Sequence, residues 1–324
     1  MIPGDCTVTL LATGGTISCT IDASGAAVPT LMADDLVSSF PAVPGVQVIP
    51  VDVARFSSWN VTVPELLALS RRVQSALEES DGVVVTQGTD TLEETAYLLH
   101  LTVGSSRPVV VTGAMRNASL PGHDGPRNLQ AAVLTAAAAS AAGRGCLVVV
   151  NDEIHLGGRV SKRHSTSLST FVSPETGPVG AVDGSSVTFF EPPAPRRTYA
   201  ASAATARVPL VKMAVGLDAL LLEAALAAGV DGLVLEGSGV GHVPTTWMPA
   251  IRSAIDAGLP VVLASRTGAG PVRAEYGGPG GGHDLASAGV ILAGRRTGLM
   301  ARIELICALG AGLSGGELRS AFEG

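Results

Sequence analysis

Residues 82–103 read GVVVTQGTDTLEETAYLLHLTV, and three kinds of segment follow one another within them. The run 82–85 is short and β-branched, the composition of a fully buried strand. Residues 87–94 then crowd hydroxyls, an amide and carboxylates at the end of that run. From Leu92 to Val103 the apolar residues fall at helical spacing. A buried strand, a polar loop and a helix in this order form one step of an α/β protein.

The same alternation extends outward from this stretch. Strand-like runs occur at 8–12, 109–112 and 147–150, and helical patterns at 64–79 and 127–142. In the helix at 64–79, Thr62 suits the N-cap, and Pro64 and Glu65 suit the first turn. Leu66, Leu67, Val73 and Leu77 form its apolar stripe. Residues 191–208 (EPPAPRRTYAASAATARV) break the pattern, being rich in Pro, Ala and Arg without periodicity, and read as a linker. Beyond it, strand-like runs at 210–215, 232–235 and 260–264 alternate with helical runs at 218–228, 245–257 and 298–309. The expected fold is α/β, with two domains, each a mostly parallel sheet flanked by helices. The expected boundaries are 1–190 for the first domain, 191–208 for the linker and 209–324 for the second domain.

Composition narrows the function. The 324 residues are 46% hydrophobic, only 15% charged and 3% aromatic, with a formal net charge of −7. An acidic chain without a basic run argues against a nucleic-acid partner. Apolar stretches are broken before membrane-spanning length, so no membrane is expected. Cys6, Cys19, Cys146 and Cys307 are scattered and read as reduced thiols. No leader pattern opens the chain, and the expectation is a cytoplasmic protein. The six histidines are scattered and no Walker A, H-E-x-x-H or G-x-S-x-G pattern occurs, so neither a metal nor a cofactor is expected.

Two polar clusters follow strands, where open α/β sheets bind ligands. In the first, residues 13–18 (TGGTIS), paired glycines allow a tight turn and a close backbone approach. Thr16 there offers a hydroxyl and an N–H. A plain glycine-rich turn explains this segment about equally well. The second is 86–94. Thr91 with Glu94 matches a capping box, and Asp90 can itself be the N-cap, which leaves Thr89 unexplained.

Lys162 adds a third candidate. Only two of the 21 basic residues are lysines, Lys162 and Lys212. Arginine cannot give up its proton, whereas a desolvated lysine can. A retained lysine therefore suggests a role that arginine cannot fill. Together these residues suggest a threonine nucleophile with a lysine base. Lys162 takes a proton from Thr89, Asp90 orients the pair, and Thr16 attacks an amide carbonyl. N–H groups around Gly15, Thr16, Thr89 and Ala114 stabilise the oxyanion.

At this point the sequence resembles the bacterial-type L-asparaginase/glutaminase family. The resemblance rests on 12–17 (ATGGTI), 87–96 (QGTDTLEETA), 112–116 (TGAMR) and 124–126 with Asn128 and Leu129. It extends to Phe171, Ser173, 177–178 and Gly180. It implies an asparaginase/glutaminase-like fold and hydrolysis of L-asparagine to aspartate and ammonia through a threonine acyl-enzyme. Under it, Thr16 is the acylated residue, and Thr89, Asp90 and Lys162 form the second catalytic group. Asp90 also holds the substrate's α-amino group, and Ser58 holds its carboxylate, with Ser57 the neighbouring alternative. Ala114 contributes to the oxyanion site, and Gly15 and Trp59 line the substrate. The implied partner is a small-molecule substrate, in a homotetramer or homodimer where Glu275 of a neighbouring subunit completes the site.

Residues 19–29 lack the tyrosine that many members carry there, and Gln87 stands where many have histidine. The alternatives are a glutaminase-asparaginase of broad amide specificity and a non-catalytic amino-acid-binding regulator. A tRNA-dependent amidotransferase subunit also resembles the family; it carries an extra N-terminal domain, for which the signature beginning at Ala12 leaves no room.

Overall fold

Val83, Val84 and Val85 are β-branched and offer no polar face, so their strand needs apolar cover on both sides of its sheet. In the computed structural model, which describes residues 6–323, all three are fully buried. The chain forms two compact units, one ending at Thr198 and the other beginning at Tyr199. Residues 191–198 thus belong to the first unit and 199–208 to the second.

The first unit opens with β1 (Cys6–Gly14), a short hairpin of β2 (Cys19–Ile21) and β3 (Ala27–Pro29), α1 (Ala33–Ser38) and β4 (Val46–Phe56). It continues through α2 (Val63–Glu79), β5 (Gly82–Thr86), α3 (Leu92–Thr102), β6 (Val109–Thr112), α4 (Gly125–Ala137) and β7 (Cys146–Val150). Five shorter strands follow: β8 (Glu153–Leu156), β9 (Ser161–Lys162), β10 (Phe171–Val172), β11 (Gly180–Asp183) and β12 (Ser186–Phe189).

Its main sheet runs β12-β11-β8-β7-β6-β5-β1-β4. The five strands from β7 to β4 are parallel to one another, and β8, β11 and β12 are added antiparallel. Helices α1 and α4 pack one face with Leu10, Val84, Val110 and Val149, while α2 and α3 lie against the sheet away from that cluster. Gly82 lets α4 approach closely, because a Cβ there would stand 2.4 Å from the Ala136 carbonyl oxygen.

The strand order places the chemistry. β1 is flanked by β4 on one side and β5 on the other, so the order reverses at β1. Such a reversal opens a crevice at the carboxyl ends of the strands.

The second unit contains β13 (Leu210–Lys212), α5 (Leu220–Ala227), β14 (Leu233–Gly237), α6 (Met248–Asp256) and β15 (Val261–Ser265). It ends with α7 (Gly282–Ser287), β16 (Ile291–Leu292), α8 (Gly298–Gly310) and α9 (Gly315–Phe322). Its four strands are parallel in the order β13-β14-β15-β16. Leu235, Trp247, Ile251 and Leu263 lie in its core.

Local expectations differ from the structure in places. Thr62 caps α2 with a complete capping box, its N–H donating to Glu65 Oε2 at 2.7 Å. The helix expected over 127–142 ends at Ala137. Alanine favours helix wherever it stands, but Gly143 and Gly145 take positive φ to return the chain to β7. The run 210–215 contracts to three residues. β4 is absent from the strand-like runs read in the sequence and contains Pro50; as an edge strand it has a side on which proline removes no ladder bond.

His100, in the last turn of α3, is pushed down to about 4, chiefly by burial and then by the Arg196 and Arg159 guanidiniums; a hydrogen bond to the Cys146 backbone opposes this. The folded protein therefore holds His100 neutral where the unfolded chain protonates it. Its folded pKa lies below the unfolded value, so stability present above pH ~6.5 is lost as pH falls toward about 4. The expected contribution is up to about 1.4 kcal/mol per pH unit across that window. Urea unfolding at pH 7 and pH 5 should show a smaller pH-dependent loss in His100→Asn than in the parent.

Candidate active site

The site begins with a contact between two glycines. Gly14 and Gly15 leave β1 at φ 95° and 86°, values that L side chains rarely adopt. A Cβ on Gly15 would stand 2.2 Å from Gly88 N and 2.4 Å from Gly88 Cα. A Cβ on Gly88 would stand 2.6 Å from Ser58 Oγ. The chain beyond β1 and that beyond β5 therefore touch through backbone, which only glycine permits at this separation, and the Ser58 side chain, beyond β4, packs on Gly88. Thr13 Oγ1 closes the same junction by donating to the Thr86 carbonyl at 2.6 Å.

The register carries the candidate residues together. Ala12 lies opposite Thr86, Thr86 opposite Thr112, and Gly14 opposite Phe56. Thr16, Ser58, Thr89 and Ala114 thus each follow the end of one of four neighbouring parallel strands. Thr16 opens a single 3₁₀ turn and is half-buried. Ala114 is buried, and its loop is clamped by Asp124, which accepts from the N–H groups of Met115 and Arg116 at 2.9 Å each. Asn128 also holds that loop, donating to the Gly113 carbonyl at 2.9 Å. A Cβ on Gly113 would lie 3.2 Å from Thr89 Cγ2.

Lys162 arrives from outside the main sheet, on the short ladder β9–β10. Its Nζ donates to Thr89 Oγ1 at 2.9 Å and to Asp90 Oδ1 at 2.8 Å. The Lys162 side chain is 13% exposed and that of Asp90 54%, so the carboxylate faces the open side of the group. Ser58 Oγ reaches Asp90 Oδ2 at 3.4 Å and is buried, whereas Ser57 is half-buried.

The capping-box reading of 91–94 does not hold. Thr91 occupies the N-cap position of α3, but its side chain makes no cap hydrogen bond. Its hydroxyl instead donates to the Ser58 carbonyl at 2.8 Å, which pins the Ser58 turn to the start of α3. Asp90 is spent on Lys162 and Ser58. Buried Gln87 donates through Nε2 to Thr95 Oγ1 at 2.7 Å, inside α3.

Trp59 and Glu275 complete the residues named from the sequence. Trp59 is 69% exposed, with its side chain turned to solvent. Glu275 lies in the second unit, paired with Arg273 at 3.0 Å. Sequence reasoning gave no role to Asp124, Asn128 or Glu93, although all three sit in stretches that carry the resemblance. Their polar atoms grip backbone, and no spacing rule announces such a grip. The hairpin of β2 and β3 is tied beside Thr16. Cys19 Sγ donates to the Gly15 carbonyl at 3.2 Å, and Ile21 N–H donates to Ser119 Oγ at 3.0 Å. Burial pushes the Cys19 thiol up, which keeps it protonated.

Comparison with known proteins adds the family. Residues 7–195 match the family model for the asparaginase N-terminal domain, and residues 207–322 match that for the glutaminase/asparaginase C-terminal domain. A probable L-asparaginase of Deinococcus radiodurans is 36% identical over 97% of this chain and 96% of its own length. An L-asparaginase of Bacillus licheniformis is 34% identical over 92% and 94%. The crystal structure of a probable cytoplasmic L-asparaginase from Campylobacter jejuni superposes with a TM-score of 0.90 at 29% identity, covering 98% of this chain and 99% of that one. The fold and these relatives define a hydrolase acting on amides. The chain belongs to the asparaginase family. Among the described residues, no helix is long and apolar enough to cross a membrane.

The glycine contact makes a direct prediction. Gly15→Ala must push residues 15–16 away from 87–88, and a displacement of about 1 Å in a reacting group costs about 10²-fold. Amide hydrolysis, read as ammonia release, should fall by about that factor or more, with the far-UV circular dichroism unchanged.

Proposed function

We propose that this protein hydrolyses L-asparagine to L-aspartate and ammonia by double displacement through an acyl-enzyme on Thr16. The observation that carries the reading is the placement of Lys162 Nζ, within hydrogen-bond distance of both Thr89 Oγ1 and Asp90 Oδ1. An amine that bridges a hydroxyl and a carboxylate can pass protons between them, as a guanidinium cannot.

In this reading the substrate's α-amino group rests on Asp90 and its carboxylate on Ser58. Its side-chain carbonyl faces N–H groups around Gly15, Thr16, Thr89 and Ala114, which stabilise the charge that develops on the oxygen. Thr16 Oγ attacks the carbonyl carbon and its proton leaves with the amide nitrogen as ammonia. The acyl bond to Thr16 is then broken by water. Lys162, in its amine form, accepts the water's proton by way of Thr89 and returns it to Thr16.

Asparagine is favoured over glutamine by the names of the relatives, while the C-terminal family model is described for both activities. We further propose a homotetramer or homodimer in which Glu275 completes the site of a neighbouring subunit and Trp59 lines the substrate, and a cytoplasmic location. The resemblance supports the first, and the name of the Campylobacter jejuni relative supports the second.

The test is an ammonia-release panel with L-Asn, L-Gln and D-Asn. L-Asn should be turned over fastest, and Thr16→Val, Thr89→Val and Lys162→Met should each lose about 10³-fold or more in kcat, the scale of losing an activated nucleophile. Near-parental turnover by Thr16→Val or Thr89→Val rules out the assigned roles. Tight aspartate binding with no amide turnover makes the protein an amino-acid-binding regulator instead.

A further inference from the structure

Glu93 lies in the first turn of α3 with its neighbour Glu94. A carboxylate there relieves the helix dipole, but that service is best given from the surface. Glu93 is only 8% exposed, and burying a carboxylate is costly unless hydrogen bonds satisfy it. Its partners lie on β9. The Glu93 carboxylate accepts from the Ser161 hydroxyl and from the backbone N–H of Lys162.

The support of β9 is otherwise thin. It has two residues and one ladder partner, β10, itself two residues long. Arg163 N–H extends the ladder by donating to the Thr170 carbonyl at 2.8 Å. Beyond β10, Ser173 Oγ meets His155 Nδ1 on β8 at 3.0 Å. These contacts anchor the far side of the ladder to the sheet. Glu93 ties its near side to α3, and α3 follows directly on Thr89 and Asp90.

We infer that Glu93 is a positioning residue: it holds the Lys162 backbone at the distance from which Nζ reaches Thr89 and Asp90. The inference rests on the reading of Lys162 as proton acceptor. Glu93 touches neither substrate nor the reacting atoms. The charged groups that face this carboxylate are Lys162 and Arg163, with Asp90 on the opposite side of the Lys162 amine. Removing Glu93 takes away one negative neighbour of Lys162 and loosens its contact with Asp90.

The test compares Glu93→Ala, Glu93→Gln, Ser161→Ala and Lys162→Met with the parent, measuring kcat and KM for L-asparagine. Glu93→Ala should lower kcat about tenfold or more with KM within about threefold, the pattern of a lost transition-state arrangement. Glu93→Gln, whose amide oxygen still accepts hydrogen bonds, should recover most of the rate. Ser161→Ala, which removes one bond from the β9 side, should fall between, and it carries the test if Glu93→Ala fails to fold. A Glu93→Ala kcat within about twofold of the parent, beside an inactive Lys162→Met, overturns the inference alone; where Glu93→Ala does not fold, a Ser161→Ala kcat equal to the parent's does so. An active Lys162→Met overturns the functional reading, and this inference with it.

Discussion

The site depends on a backbone approach that no side chain could share. Gly15 and Gly88 meet where β1 and β5 end, and a Cβ on either would overlap backbone or the Ser58 side chain. Neighbouring strands in a sheet are about 4.8 Å apart, so strand pairing alone brings loops near one another without interlocking them. The glycine contact interlocks them. With Gly15 against Gly88, and Gly88 against Ser58, the residue after each glycine has little freedom. Thr16 and Thr89 are those residues. Their hydroxyls are placed by main chain rather than by long side chains, and a short threonine keeps such placement well.

Around this contact the structure buries polar groups in unusual number. Ser58, Gln87, Thr89, Glu93 and Asn128 are all buried. Each would cost free energy if left unpaired, and most of their partners belong to a different loop or element. Thr91 holds the Ser58 turn, Asp124 and Asn128 hold the Ala114 loop, and Glu93 holds β9. Loops held in this way are stiff. A catalytic group on a stiff support needs less reorganisation as the reaction proceeds, which is the physical content of a preorganised site.

How much of this was legible follows from which interactions obey a local rule. The alternation of strands and helices reads from periodicity, and so do the polar strand ends, because burial imposes both locally. The capping of α2 reads from four residues, Thr62 to Glu65. The identical-looking signal at Thr91 and Glu94 misleads, because the Thr91 hydroxyl finds a better-placed acceptor across the site at Ser58. That Ser58 rather than Ser57 is buried beside Asp90 is a tertiary fact, which the two adjacent serines do not announce. That β4 tolerates Pro50 depends on its being at the sheet edge, and edge position is a property of the whole strand order. The end of α4 hid among alanines, whose propensity is uniform where the chain's path is not.

The lysine argument shows both the strength and the limit of composition. Scarcity marked Lys162 and Lys212 alike. Lys212 ends β13, 64% exposed, and pairs loosely with Glu236 at 3.5 Å, a surface contact that arginine would make as well. Lys162 is largely buried, and its amine bridges Thr89 and Asp90. Scarcity therefore narrowed the search to two positions, and burial separates them. An arginine at 162 would bring a planar fork and a permanent charge where a compact amine now meets one hydroxyl and one carboxylate oxygen. The fork could satisfy Asp90, but it could not release a proton to Thr89 or accept one from it. Under the proposed mechanism the retained lysine answers a need for reversible charge at that point, one that arginine could not meet.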